Sequence, residues 1–439
     1  MNVVEQKIAA QHERIPVMYG RVDFSVLPER FTSSPADQST LPAAQQHQRA
    51  RLLADTERVG LIRAYTMLGD NVADAYAALM PEYGAKRLIG MLNEACARGV
   101  EHVANAPREL VAFIREMERT PAWLDMDLVE EGARRSRNSH AHVAPFVIRG
   151  AFFATFMNKY AALPMAITGT LSHQTAARRI RETATFFTTS VLPGALQRHG
   201  EGFRSAAMVR LMHSMVRYNV LTRTSWDTRV YGIPIPQVDQ MPAGLISVFL
   251  MSRELLRRGR TSFNREERAI VELSRYRCYL LGLPEELLSD TPQGIVDLWL
   301  TRAATLRAGF DDATCGALVR STMAADLSVG DSFTARLQSR MEHSFAKMFF
   351  LKNFANDDRA EAARLGVDVT RVDDVWATAT GLWIASQIVA HELAMRVPGV
   401  RTLTDRRLVR MLLGQLQGYG HPEYATHAER YRPTQLAVA

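Results

Sequence analysis

The chain has 439 residues, of which 47% are hydrophobic and 23% are charged, the ordinary balance of a globular protein. Extensive disorder is therefore excluded, and the length suffices for one large domain or two modest ones, each with a buried core. The formal net charge of +7 comes from arginines scattered through the predicted helices, without the basic run and interleaved aromatics typical of a nucleic-acid binder.

The predicted elements are helices, and they begin after an irregular arm. Residues 1–50 predict this arm, because prolines recur there and residues 33–48 are rich in Ser and Gln. Beyond it, apolar residues recur with helical spacing. The helical segments are Arg51–Leu68, Asn71–Leu79, Ala85–Arg98, Arg108–Glu118, Met126–Arg135, Phe146–Ala162, Gln174–Leu192, Phe203–Val220, Gln240–Leu256, Arg265–Leu281, Pro292–Ala308, Asp312–Met323, Asp331–Phe350, Val372–Met395 and Asp405–Leu416.

Strand patterns are scarce by comparison. The best alternating segment is Thr228–Pro236, and its prolines keep it short. The predicted fold class is therefore all-α, with a single large helical domain over residues 51–425 and a C-terminal tail over residues 426–439.

Two apolar runs require a test as membrane spans, which need about 20 apolar residues. Pro145–Leu171 is interrupted by charged and amide side chains, and Val375–Ala390 is too short. Both runs are predicted to be buried helices of a globular core. The first twenty residues carry several charges and lack the apolar core of a signal peptide, so the predicted location is cytoplasmic.

The three cysteines, Cys96, Cys278 and Cys315, lie far apart and form no Cys-x-x-Cys motif. A disulfide framework or a cysteine-based zinc site is therefore not expected. The cysteines are predicted to be reduced, buried thiols.

His213 is the first candidate functional residue. Its neighbours at spacings of three, four and seven on a helix are apolar, whereas Arg210 and Arg217 flank it along the chain. An imidazole nitrogen binds haem iron, and arginines pair well with the two haem propionates. The local pattern alone favours a core histidine that is hydrogen-bonded to a backbone carbonyl, because apolar helical stripes are common.

A second cluster lies one helix earlier. Arg179, Glu182 and Thr183 share a helical face, and two phenylalanines follow one turn later. A carboxylate and a hydroxyl beside an aromatic wall are typical of a distal pocket in which Glu182 handles protons. The alternative is a solvated helix face with an Arg179–Glu182 ion pair.

These residues resemble the latex-clearing proteins (rubber oxygenases) and the fungal MpaB-type oxygenases. The resemblance covers roughly residues 115–350, and the order and spacing of its motifs carry it. The motifs are Thr120-Pro121-Ala122-Trp123-Leu124-Asp125, Gly132, Tyr160, Thr168-Gly169-Thr170-Leu171, Arg179-x-x-Glu182-Thr183, Val209-Arg210-Leu211-Met212-His213-x-x-Val216-Arg217, the stretch Gly232–Asp239, and Leu281-Gly282-Leu283-Pro284.

The resemblance implies a globin-like helical core that binds haem b, with His213 as the proximal iron ligand. It also implies that Arg179 and Thr183 support the haem and its pocket, and that dioxygen is used to cleave carbon–carbon double bonds of isoprenoid chains. This chain has Glu182 where the rubber oxygenases place a lysine, so rubber itself is not the expected substrate. A hydrophobic small molecule of secondary metabolism is expected instead.

Other sites have less support. Ser139-His140-Ala141-His142 would point its two histidines apart on a helix, and His391-Glu392 lacks the second histidine of a zinc-protease motif. No glutamate has a histidine three residues later, as a di-iron bundle requires. His173 is interpreted as a helix-entry residue, and Gln237 and Asp239 as caps of the helix starting near Gln240.

The leading hypothesis is thus a haem b-dependent oxygenase that oxidises a hydrophobic small molecule with dioxygen or peroxide. In it His213 binds iron, Arg210, Arg217 and Arg179 hold the cofactor, and Glu182, Arg179 and Thr183 form the catalytic pocket. The alternatives are a non-catalytic protein that binds haem or an apolar ligand, and a helical interaction protein without a cofactor.

Overall fold

The described part of the chain is helical, in a computed structural model that describes residues 3–168, 172–328, 330 and 332–420. Within those ranges there is no strand, and the only β pairing consists of two isolated bridges, Phe31 with Leu306 and Ser39 with Arg307. The predicted all-α class is therefore confirmed. The predicted C-terminal tail, residues 426–439, lies outside the described residues, as do Gly169, Thr170 and Leu171 of the resemblance motif and Asp331.

The helices fall into two compact units, each made of separate stretches of chain. The first unit takes Met1–Gly132 and Leu196–Ala308, and the second takes Ala133–Ala195 and Gly309–Glu423, as far as each is described. The helices are α1 Val3–Arg14, α2 Pro16–Tyr19, α3 Arg49–Ala54, α4 Thr56–Thr66, α5 Asn71–Ala77, α6 Met80–Tyr83, α7 Ala85–Arg98, α8 Arg108–Glu118, α9 Met126–His142, α10 Ala144–Phe156, α11 Lys159–Ile167, α12 His173–Thr189, α13 Glu201–Arg223, α14 Thr228–Tyr231, α15 Gln237–Arg257, α16 Arg265–Leu280, α17 Pro292–Thr305, α18 Ala317–Met323, α19 Phe333–Phe354, α20 Arg359–Arg364, α21 Arg371–Arg396 and α22 Val400–Tyr419.

Three expectations are corrected. The arm predicted as irregular contains α1 and α2, and Tyr19 at the end of α2 is fully buried. The segment with the best strand pattern, Thr228–Pro236, begins with the short helix α14, because the Asp227 side chain accepts a hydrogen bond from Arg229 N and caps it. The single helix predicted over Phe146–Ala162 is two helices, since the Asn158 side chain caps a new one.

Helix α13 is the centre of the first unit. It packs against α2, α5, α7 and α16, and most of its 23 residues are buried. Because such a helix has no solvent-exposed stripe, its sequence shows little amphipathic pattern. Helix α15 follows the turn Gly232–Pro236 and packs against α16 and α17. Its first turn also contacts α13, where Gln240 meets His213.

The core of the second unit is aromatic. Phe153 and Phe156 of α10 pack in one buried cluster with Phe350 of α19 and with residues of α18. Inside this unit Arg149 forms a buried ion pair with Glu342 and also donates to the carbonyl oxygens of Met323 and Ala325. The predicted burial of the Pro145–Leu171 run is thus confirmed for its aromatic side chains on α10.

The second apolar run is different. Val375–Ala390 lies in α21, and one face of this helix is exposed, with Val375 and Leu382 at 69% and 70% accessibility. The prediction that this run is a buried helix is therefore wrong for that face. Within the described residues, no helix is long and apolar enough to cross a membrane.

A pair of buried histidines lies in the second unit. His142 at the end of α9 and His391 of α21 have ring centroids 4.6 Å apart, and both residues are buried. Among the described residues, neither ring nitrogen of His142 has a hydrogen-bond partner, whereas His391 Nδ1 contacts Gln387 O at 2.9 Å. Burial, together with the charges of His391 and Arg407, lowers the pKa of His142 to about 4.

We expect this pair to make the protein less stable in acid. The pKa of His142 is about 4 in the folded chain and about 6.5 when unfolded, so the folded state binds fewer protons in between. Its contribution to stability is complete above pH 6.5 and is lost progressively as the pH falls towards 4. Thermal unfolding of His142→Gln should depend less steeply on pH in this window than that of the wild type. Exposed His102→Gln is the matched control, and equal slopes for both variants and the wild type would refute the assignment.

Candidate functional site

The predicted site residues divide between the two units. His213, Arg210 and Arg217 lie on α13 in the first unit, whereas Arg179, Glu182 and Thr183 lie on α12 in the second.

The His213 side chain is half-buried and is held by an amide. Its Nδ1 lies 3.2 Å from Oε1 of Gln240, on the first turn of α15. The Gln240 Nε2 donates to Oε1 of Gln237 at 3.1 Å, and the Gln237 Nε2 donates to the carbonyl oxygen of Gly69 at 3.0 Å. Both glutamines are buried, so the amides form a relay from the backbone to the imidazole.

This relay determines which nitrogen of His213 carries the proton. The carbonyl oxygen of Gly69 only accepts hydrogen bonds, so the NH2 group of Gln237 faces Gly69 and the amide oxygen of Gln237 faces Gln240. The NH2 group of Gln240 donates to that oxygen, so the amide oxygen of Gln240 faces the imidazole of His213 and accepts a hydrogen bond from it. His213 therefore carries its proton on Nδ1, and Nε2 is the basic nitrogen. Metal-binding histidines are held by outer polar partners in the same way.

Arg210 and Arg217 are engaged by two aspartates of the first unit. Arg210 forms a bidentate ion pair with Asp70, with Nη2 2.9 Å from Oδ1, and Arg217 pairs with Asp74. Both arginines are buried. The expectation that they hold haem propionates thus meets a physical obstacle, since their charges are already compensated by carboxylates of the protein.

The Arg217 pair has further ligands. Its guanidinium donates to the carbonyl oxygens of Pro234 and Ile235 at 3.0 and 2.6 Å. The Tyr19 hydroxyl donates to Oδ2 of Asp74 at 2.6 Å. Burial, followed by the Asp74 charge, raises the pKa of Tyr19 well above its ordinary value, so the phenol keeps the proton that it donates. The network joins α2, α5, α13 and the turn before α15.

Gly282 closes the other ion pair. It has φ +86°, and an added Cβ would collide with the Asp70 carboxylate and the Arg210 guanidinium. Only glycine combines this backbone conformation with the close approach. The resemblance motif Leu281-Gly282-Leu283-Pro284 thus has a structural reason at its second position.

The α12 half is a buried ion pair beside aromatic rings. Arg179 Nη1 lies 3.2 Å from Oε2 of Glu182, and both residues are buried, with 9% and 8% accessibility. Thr183 is half-buried, and Phe186 packs edge-on against Phe187 with 5.2 Å between ring centroids. The predicted Arg179–Glu182 pair is therefore present, but the face that carries it is not solvated.

Other sequence interpretations can now be judged. His173 is the first residue of α12, after the capping Ser172, as expected for a helix-entry residue. The predicted caps of α15 are wrong, because Pro236 holds the N-cap position, Gln237 reaches Gly69 and Asp239 pairs with Arg30 and Arg302. Over the described ranges, no cluster of three or more His, Cys, Asp and Glu side chains could hold a metal ion.

Sequence reasoning missed Asp70, Asp74, Gln237 and Gln240 as partners of the α13 residues. One signal was available for the aspartates. Asp70 and Asp74 are one helical turn apart, and Arg210 and Arg217 are two helical turns apart. Each pair therefore lies on one side of its chain segment, so that each aspartate can meet one arginine when the two segments cross. No local pattern marks Gln240, because its partner lies 27 residues away in sequence.

A family of known proteins matches part of this chain. Residues 137–342 match the family described as ER-bound oxygenase mpaB/B′/rubber oxygenase, catalytic domain. Among solved structures, latex clearing protein LCP in the closed state matches with a TM-score of 0.55 and 18% sequence identity. That match covers 80% of this chain and 91% of the other, and it shows a shared fold. No curated protein matches the sequence.

The amide relay can be tested on the imidazole itself. In the wild type we expect 15N NMR of histidine-labelled protein to show His213 protonated on Nδ1 at a pH where the ring is neutral. Gln240→Leu removes the acceptor, so the fraction of this tautomer should fall. Gln240→Glu keeps an acceptor and should retain it. An unchanged tautomer in the Leu variant would refute the relay.

The buried ion pairs should dominate the stability of the first unit. Asp74→Asn leaves the Arg217 charge uncompensated, and breaking one partner of a buried pair costs about 3–5 kcal/mol. Urea unfolding followed by circular dichroism should show a large fall in the midpoint. The control is Glu254→Gln, which breaks exposed pairs with Arg257 and Arg258 and should leave the midpoint nearly unchanged. Equal midpoints for both variants would contradict the expected role of the network.

Proposed function

We propose that the protein is an oxygenase that works with a haem b whose iron is bound by His213, since residues 137–342 match the family described as ER-bound oxygenase mpaB/B′/rubber oxygenase, catalytic domain. The observation that carries this proposal is the amide relay from Gly69 through Gln237 and Gln240, which leaves Nε2 as the basic nitrogen of His213. A neutral imidazole with a fixed Nδ1 proton is the ligand that haem iron takes from histidine.

The donor set on α13 fits the iron but not the propionates. His213 supplies the nitrogen ligand, while Arg210 and Arg217 are neutralised by Asp70 and Asp74. In the proposal these arginines act as positioning residues that fix α13, and hence His213, rather than as partners of the cofactor. When bound, the haem supplies the redox chemistry that activates dioxygen or peroxide.

The polar residues of α12 are the proposed catalytic groups. Glu182 holds or transfers a proton at its carboxylate oxygens, and Arg179 fixes the orientation of that carboxylate through Nη1. Thr183, one residue later, contributes a hydroxyl that can donate or accept a hydrogen bond. Phe186 is buried beside them and helps to keep water away from the carboxylate.

The proposed substrate is a hydrophobic small molecule. The family name includes rubber oxygenases, and the solved relative is a latex clearing protein, so apolar alkenes are the class to test first. Glu182 replaces the lysine that the resemblance places there in rubber oxygenases, so we expect rubber itself to be a poor substrate.

An absorption spectrum tests the cofactor proposal. Purified protein reconstituted with haem b should give a Soret band and bind haem stoichiometrically. In His213→Ala the Soret band should shift, and most of the affinity for haem should be lost. His173→Ala, which changes a helix-entry histidine, is the matched control and should bind haem like the wild type. No Soret band in the wild type, or an unchanged band in His213→Ala, would refute the proposal.

Oxygen consumption tests the role of Glu182. With an apolar alkene and dioxygen, Glu182→Gln should bind haem normally but turn over at least tenfold more slowly, because proton transfer by a positioned group contributes about 10²–10⁴-fold. Haem binding without turnover in the wild type would instead indicate a haem or apolar-ligand carrier. Unchanged turnover in the variant would exclude Glu182 as the proton-transfer group.

A further inference from the structure

Two histidines from distant parts of the chain meet in the second unit, His142 at the end of α9 and His391 in α21. Their ring centroids are 4.6 Å apart, and the two residues are only 1% and 6% accessible. Among the described residues, neither ring nitrogen of His142 has a hydrogen-bond partner. A buried polar group of a folded protein has a partner in most cases, so this imidazole points to a ligand of another kind.

The imidazole of His391 is held in the manner of a metal ligand. Its Nδ1 lies 2.9 Å from the carbonyl oxygen of Gln387, one turn earlier on α21. A carbonyl oxygen only accepts hydrogen bonds, so the proton of the neutral ring lies on Nδ1, and Nε2 keeps its lone pair. Histidines that bind metals are oriented by such a contact through the nitrogen that the metal does not take.

Two side-chain amides bring oxygen atoms to the same place. Asn138 lies one turn before His142 on α9, and its Nδ2 donates to the carbonyl oxygen of Ile388 on α21 at 3.2 Å. Gln415 of α22 donates through Nε2 to the carbonyl oxygen of Ala141, the residue before His142, at 2.9 Å. Both NH2 groups are thus used. The amide oxygens, Asn138 Oδ1 and Gln415 Oε1, are buried and have no hydrogen-bond partner within the described ranges.

These groups are mostly acceptors. One nitrogen of His142, Nε2 of His391 and the two amide oxygens each offer a lone pair, against a single N–H group on His142. A water molecule has only two protons to donate, so one water can satisfy at most two of the four acceptors. A metal ion takes lone pairs only, and imidazole nitrogen is a ligand that suits copper and zinc ions.

We propose that His142 and His391 bind one divalent transition-metal ion, Cu²⁺ more tightly than Zn²⁺, with the amide oxygens of Asn138 and Gln415 as further ligands. Two imidazoles bound to one ion at about 2.0–2.1 Å have ring centroids roughly 5 Å apart, close to the 4.6 Å between these rings. The ion ties together α9, α21 and α22, three helices that are remote in sequence, and its role is therefore structural.

The charges around the site limit its affinity. All four ligands are neutral, and the positive charge of Arg407 acts on His142. The carboxylate of Asp405 is engaged by Arg137, whose Nη1 lies 2.9 and 2.7 Å from its two oxygens. The charge of the ion is therefore poorly compensated, and we expect micromolar affinity, with Cu²⁺ above Zn²⁺ in the usual order for such ligands.

Copper binding to the full chain tests the proposal. After removal of metals with EDTA, the wild type should bind one Cu²⁺ with micromolar affinity in isothermal titration calorimetry, and electron paramagnetic resonance should show coupling to imidazole nitrogens. His142→Gln and His391→Gln should each lower the affinity at least tenfold, since even the outer partners of a metal ligand are worth about 10–100-fold. Absence of Cu²⁺ binding in the wild type would overturn the proposal.

His140→Gln is the matched control. His140 also lies on α9, two residues from His142, and its Nδ1 contacts the carbonyl oxygen of Ser136 on the same helix. This variant should bind Cu²⁺ like the wild type. Equal affinity in His140→Gln, His142→Gln and His391→Gln would mean an adventitious ion only and would overturn the site.

Thermal unfolding tests the same site without a variant. An ion that binds only the folded arrangement of α9 and α21 raises the unfolding temperature. Excess Zn²⁺ should therefore raise the midpoint of wild-type unfolding, followed by circular dichroism, above that of the EDTA-treated protein. An unchanged midpoint would contradict the proposal, whether or not the histidine variants fold.

Trp383 reports where the ion binds. Its ring centroid lies 6.2 Å from that of His142, so Cu²⁺ at the proposed site should quench its fluorescence. Trp383→Phe should keep the affinity for Cu²⁺ but lose most of the quenching that copper causes in the wild type. Quenching that persists in full in Trp383→Phe would place the ion elsewhere and overturn the assignment.

Discussion

Two buried ion pairs, Arg210 with Asp70 and Arg217 with Asp74, determine where α13 lies in the first unit. Burying four charges is costly, and the cost is recovered only when each carboxylate meets its guanidinium with good geometry and further hydrogen bonds. Here Tyr19 and the carbonyl oxygens of Pro234 and Ile235 complete the second pair. A rotation of α13, or a slip by one turn, would separate both pairs at once, so the network selects one register.

His213 depends on that register. It lies between the two arginines along α13, and its imidazole meets Gln240 only because the Gly232–Pro236 turn, which Arg217 ties down, delivers the first turn of α15 to the same place. The left-handed backbone of Gly232 and Ile235 makes this turn tight. The arginines that local reasoning assigned to a cofactor thus serve the histidine indirectly, through the backbone.

The sequence was sufficient to predict those features that depend on residues close together in the chain. Helical periodicity predicted the class and most helices, and the spacing of Arg179, Glu182 and Thr183 predicted a shared face. It failed where the determining contact is distant, because nothing near Arg210 or Arg217 indicates aspartates some 140 residues earlier. It also failed for Val375–Ala390, since hydrophobicity alone does not tell a helix that is buried all round from one with a second, exposed apolar face.

The first unit is assembled from two stretches of chain, Met1–Gly132 and Leu196–Ala308. On the ribosome, Asp70 and Asp74 emerge about 140 residues before their arginines, an interval of about ten seconds at ordinary rates of synthesis. During that time α5 has neither its counter-ions nor its packing partner α13. The apolar surface of α5 therefore stays exposed to chaperones until α13 has been synthesised. A protein truncated before residue 200 would contain the two aspartates but not the helix that pairs with them.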